Sequence, residues 1–137
     1  MIAPPSLDDL EQIARDGLAA LPERLRQFTK DLVVHVTDFP DDDVVVEMEL
    51  ESPFDLLGLY QGIALGDKTI EASGTLPDMV FLYRRPILDY WCETGEDLGH
   101  VVRHVLIHEI GHHFGFSDED MEALEAEAEA DERPKQA

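Results

Sequence analysis

The chain has 137 residues, 44% of them hydrophobic, with 31 acidic against 10 basic side chains and a formal charge of −21. This length suits one domain with one core and one cleft, and so negative a surface disfavours nucleic acid or an anionic membrane as partner, since both reward Lys and Arg. One cysteine, Cys92, excludes an internal disulfide and fits a reducing compartment.

Residues 1–9 contain neither a basic nor an apolar targeting segment, and no apolar run approaches the roughly 18 residues of a membrane span. The expected location is therefore the cytoplasm, with the chain forming a single domain over 1–137 and frayed ends at about 1–5 and 130–137. Ser6, followed by Leu7, Asp8 and Asp9, marks a helix start. Leu7, Leu10, Ile13, Ala14, Leu18 and Leu21 then recur at helical spacing and predict an amphipathic packing helix. Pro22 interrupts it and opens a short second helix through Phe28. Residues 32–36 are β-branched enough for a strand, and His35, lone among valines, is expected to be structural.

Residues 44–50 are ambiguous: their valines favour a strand, while the preceding aspartates suit a helix N-terminus. Ser52 and Pro53 end the segment. Residues 57–65, with glycines at 58 and 62, predict a strand with a bend, and the polar stretch 66–77 returns the chain to a second strand at 79–83. These two are expected to form a hairpin beside the first strand. One of them, 57–65 or 79–83, is expected to offer a free edge to an extended peptide, since Gly58 and Gly62 let another backbone approach.

Pro86 at a first helical position starts a segment with Leu88, Trp91 and Cys92, read as packing. Thr94 is expected to cap the next helix, with Glu96 and Asp97 in its first turn. Leu98, Val101, Val102, Val105, Leu106, Ile107, Ile110 and Phe114 cover most of that helix's circumference, which predicts a buried, central element.

This helix carries the chemistry. Residues 108–118 read His-Glu-Ile-Gly-His-His-Phe-Gly-Phe-Ser-Asp, that is HExxH, a glycine three residues on, and an aspartate three beyond that. Residues four apart lie one turn above each other, so His108 and His112 can aim their imidazoles at one ion. Glu109 falls about 100° round from His108, placed to act on water as a general base. Gly115 can take a positive φ and turn the chain back, after which Asp118 can supply a third ligand. Three protein ligands and one open position make a catalytic rather than a structural zinc site, and Zn2+ is the expected ion. His100 and His104 precede His108 at four-residue steps of about 6 Å each, too far apart for the whole ladder to share one ion, and are expected to be structural or to support a ligand. His113 points about 100° away from the pair and is excluded as a ligand, with a backbone hydrogen bond as its expected contact. A last acidic segment, 119–130, docks through Met121 and Leu124.

With these residues in view, the sequence resembles the small bacterial zincin-like metallopeptidases, whose pattern is HExxHxxGxxD. Residues 56–62 (LLGLYQG) and 76–86 (LPDMVFLYRRP) resemble blocks of the same family, so the likeness runs from about Asp41 to Leu124. It implies an α+β fold, a compact zincin-like domain in which a small β-sheet packs on a central active-site helix with further helices around it. It also implies zinc on two histidines and an aspartate, with a glutamate base, and tips residues 44–50 to helix. The expected function is hydrolysis of peptide bonds in a peptide or protein substrate, with Tyr60, Tyr83, Arg84 and Arg85 as candidates to stabilise the oxyanion. Two alternatives are a metal-dependent hydrolase of RNA or another non-peptide substrate, which the net charge disfavours, and a non-catalytic zinc-stabilised binding module.

Overall fold

The computed structural model describes residues 3–62 and 78–132. The polar stretch 66–77, strand residues 63–65 and the chain end from 133 lie outside the described residues. The first helix, α1 (Leu7–Ala19), is capped as expected: Ser6 Oγ accepts from the Asp9 N–H, and the Asp9 carboxylate accepts from the Ser6 N–H. It buries Leu10 and Ala14 completely. A single turn, α2 (Glu23–Arg26), follows Pro22 and buries Leu25. Strand β1 (Val33–Thr37) leads to α3 (Asp42–Glu47), so the acidic helix start prevails over the strand preference of its valines.

Strands β2 (Gly58–Gln61) and β3 (Met79–Tyr83) complete a sheet of order β1-β3-β2. β3 pairs antiparallel with β2 and parallel with β1. The expected hairpin is present, but β3 lies between its neighbours, so the expectation that residues 79–83 could offer an edge is corrected. Among the described residues, β2 is the member of the pair at an edge. The period of two then sorts the side chains. Val34, Val36, Val80, Leu82 and Tyr60 face the hydrophobic core, whereas His35, Thr37, Phe81, Tyr83, Leu59 and Gln61 face away from it, toward α3.

Helix α4 (Arg84–Thr94) has Pro86 at its third position, where the missing N–H is still one of the helix's unpaired donors. Its buried residues are Pro86 and Ile87, while Leu88 and Trp91 are half-buried and Cys92 is exposed, so the packing expected of Cys92 is corrected. Gly95, at φ 70°, ends α4. The next helix, α5 (Leu98–His113), is therefore capped by Asp97, whose carboxylate accepts from the His100 N–H, and not by Thr94, which α4 has already taken up. Residues Val101, Val102, Val105, Leu106, Ile107 and Ile110 of α5 are all buried and touch α1, the sheet and α6 (Asp118–Glu132). Met121 and Leu124 dock α6 as expected, joined by Ala128.

Two close approaches fix α5 against its neighbours. A Cβ at Gly58 would lie 2.6 Å from Val105 Cγ1 and 3.0 Å from the Phe81 carbonyl oxygen, so β2 passes α5 at glycine distance. A Cβ at Gly111 would lie 2.7 Å from Met121 Sδ, which brings α6 equally near. The six helices and three strands among the described residues form the α+β arrangement expected, with α5 at its centre. No described helix is long and apolar enough to cross a membrane.

Candidate active site

The end of α5 is built to turn. The Phe116 N–H donates to the Gly111 carbonyl and the Gly115 N–H to the His112 carbonyl, with Gly115 at φ 79°: the two bonds and the left-handed glycine of a Schellman motif. Phe28 stacks on Phe114, ring centroids 4.6 Å apart, and meets Phe116 edge-on at 6.1 Å, pinning the turn to the body. Ser117 then caps α6, its hydroxyl accepting from the Asp120 N–H while the Asp120 carboxylate accepts from the Ser117 N–H. Asp118 is the first residue of α6 and is exposed.

His108 and His112 lie on one face of α5 with ring centroids 5.9 Å apart, His108 half-buried and His112 exposed. Burial lowers the His108 pKa, with neighbouring His104 and His112 adding to the effect and Glu125 opposing it. A lowered pKa favours the neutral imidazole that a metal requires. Two imidazoles and a carboxylate suit zinc in donor chemistry. Among the described residues, however, the three side chains whose ligand atoms fall within 4.8 Å of one another are His104, His108 and Glu125 of α6. Sequence spacing alone singled out neither this set nor Glu125, whose proximity depends on how α6 packs.

Glu109 reaches the sheet. The Tyr60 N–H donates to its Oε1 at 3.2 Å. The Tyr83 N–H donates to the Leu57 carbonyl, so by antiparallel alternation Leu59 and Gln61 turn their peptide groups toward β3, while Gly58 and Tyr60 turn theirs outward. Glu109 therefore lies on the edge of β2 that no described strand pairs with. Burial raises its pKa, partly offset by the Tyr60 N–H and by His112. His113 makes a ring contact in place of the backbone hydrogen bond expected of it: it stacks on Tyr60, centroids 3.9 Å apart and planes 19° from parallel.

Beside this edge, the outward face of the sheet and α3 enclose a cavity of about 610 Å³, lined by His35, Leu59, Phe81 and Tyr83 below and Asp41 and Glu47 above. His35 meets Phe81 edge-on at 5.6 Å within it. Of the four side chains considered for the oxyanion, the Tyr60 hydroxyl donates to Asp78, Arg84 binds the Pro5 carbonyl and Asp38, and Arg85 lies over the Phe39 ring. Tyr83 is buried, and its pKa is pushed up to about 12 by that burial and by the nearby charges of Asp41 and Glu109, so its hydroxyl keeps its proton.

No curated protein matches the chain. The family model of the zincin-like metallopeptidases does, over residues 29–128, a span running from just before β1 into α6 and holding every site residue named above; with a helical HExxH lying along a sheet edge, the chain belongs to that family.

Proposed function

We propose that this protein is a zinc-dependent peptidase in which His108, His112 and Asp118 hold Zn2+ and Glu109 is the general base. The observation that supports it best is the hydrogen bond from the Tyr60 N–H to Glu109, which joins the base to the outer edge of β2. Bound zinc would supply Lewis acidity to the attacking water and to the substrate carbonyl. Glu109 takes the proton from that water and returns it to the leaving amine nitrogen, and a pKa raised by burial moves it toward the range where a carboxylate can do both.

An extended peptide would add antiparallel to the outward edge of β2 beside Glu109, with the outward-facing Tyr60 carbonyl among its acceptors. Its side chains would alternate into the cavity beneath α3. The test is digestion of a peptide library by zinc-loaded protein, before and after chelation. Cleavage should vanish with the chelator and return with zinc, while circular dichroism keeps its helical signal, since the hydrophobic core cluster includes none of the proposed ligands. Loss of the fold on chelation would favour a structural ion and count against catalysis.

Tyr83 is assigned as the donor to the oxyanion. Tyr83→Phe should lower kcat by about 100-fold with KM little changed, the scale of losing one donor from such a site. Steady-state kinetics on a cleaved library peptide checks it, and unaltered kcat would remove Tyr83 from the reaction.

A further inference from the structure

Helices α5 and α6 run antiparallel, and along their seam histidines of one meet glutamates of the other. His100 Nδ1 lies 3.4 Å from Glu129 Oε1. One turn on, His104 Nδ1 is in direct contact with Glu125 Oε1, and His108 Nε2 lies 3.6 Å from the same oxygen. That oxygen is buried and, although two imidazole nitrogens converge on it, accepts no hydrogen bond of good geometry. A buried carboxylate oxygen whose imidazole contacts are poorly directed is incompletely satisfied, which is costly. A cation among the three groups would satisfy it.

The His108–Glu125 separation suits one, and the direct His104–Glu125 contact would open to admit it. Zinc bonds of about 2.0–2.2 Å in a tetrahedron place neighbouring ligand atoms about 3.4 Å apart. The separation between His108 Nε2 and Glu125 Oε1 is already of that size, and all three ligand atoms fall within 4.8 Å of one another. Imidazole with carboxylate is a donor set for zinc and similar divalent transition ions, not for calcium or magnesium.

We propose that His104, His108 and Glu125 form a second divalent-metal site, which shares His108 with the catalytic set and so competes with it for that residue. The inference rests on the reading of His108 as a ligand in the proposed peptidase site. His108 Nε2 binds one ion at a time, so an ion taken at the second site withdraws His108 from the pair with His112. A second zinc ion that takes His108 into this site, leaving the first on His112 and Asp118, therefore acts as an inhibitor when zinc exceeds one equivalent, and His104 belongs to regulation of the site rather than to its chemistry.

The experiment is calorimetric titration of metal-free full-length protein with Zn2+ alone. His112→Ala removes the catalytic pair but leaves the second trio, and should still bind one equivalent. Adding either His104→Ala or Glu125→Gln to that variant should weaken binding by about 100-fold or more, at least what the loss of an outer partner of a metal ligand costs. His104 is nearly half exposed, so its truncation leaves the core intact, and the glutamine keeps the shape of Glu125 should the alanine variant misfold. If His112→Ala binds no zinc, or binds it equally well without His104 and Glu125, the second site does not exist and the contacts are ion pairs only. His104→Ala alone distinguishes the two readings. It should bind one zinc and cleave peptide without inhibition by excess metal; if instead it loses all zinc while His112→Ala retains both zinc and cleavage, the second site stands and the proposed catalytic ligand set falls.

Discussion

Glu109→Gln is expected to lower turnover by about 10²–10⁴-fold, the range that general-base catalysis contributes, while zinc content stays at the wild-type level. Glutamine has the volume of glutamate and a carbonyl oxygen that can still accept the Tyr60 N–H, so the junction between α5 and β2 survives. What it lacks is the basicity to take a proton from water and the acid form to return it. Metal analysis and single-turnover cleavage of one peptide separate the two effects. Unchanged turnover would remove Glu109 from the reaction, and lost zinc would mean that the residue holds the site together rather than acting in it.

Gly58→Val should be the most damaging single change outside the site. The first carbon added at residue 58 already meets Val105 Cγ1 at 2.6 Å and a backbone oxygen of β3 at 3.0 Å, and the latter cannot rotate away. Valine adds two methyl groups beyond that carbon, so β2 must move off α5. The expected cost is about 3 kcal/mol or more, at the upper end of overpacking, against a total stability on the order of 5–15 kcal/mol. Thermal unfolding should show a melting temperature lower by about 10 °C or more. Peptide cleavage should fall further than stability alone explains, because the displaced strand carries the amide that Glu109 binds. Gly58→Ala should show the same pattern to a smaller degree, and a valine variant melting with the wild type would show that the two elements are not in register contact.

Much of this architecture is legible in the chain because its signals are local. Ser6 with Asp9 announces α1, the run of residues 79–83 gives β3 with its observed bounds, and Gly115 ends α5 as its position three residues after His112 suggests. The start of α5 is misread because Thr94 and Asp97 are both capping types three residues apart, and what decides between them is the left-handed Gly95 that closes α4. The central place of β3 is not legible either, since a hairpin of β2 and β3 leaves open which member the first strand joins. At the site, HExxH singles out Glu109 and the histidine pair as candidates, but neither Tyr60 as the partner of Glu109 nor Glu125 as the partner of His104 and His108 follows from spacing. Those contacts depend on the packing of separate elements, and a period of 3.6 within one helix carries no information about them.

The placement of β3 between β1 and β2 also sets an order of assembly. Helices α5 and α6 are joined by a four-residue turn, so their pairing is a local event with little loop entropy to overcome. The sheet is different: β1 can pair with β3 only after α3, β2 and the following segment have been gathered between them, with Val33 opposite Met79. Contacts so distant along the chain form slowly. The histidines of α5 and the carboxylates of α6 thus belong to the part that can form first, whereas Glu109 meets Tyr60 only when the late-closing sheet arrives. On the proposed function, a nascent chain would then meet its metal before it could use it, and catalytic competence would report that folding is complete.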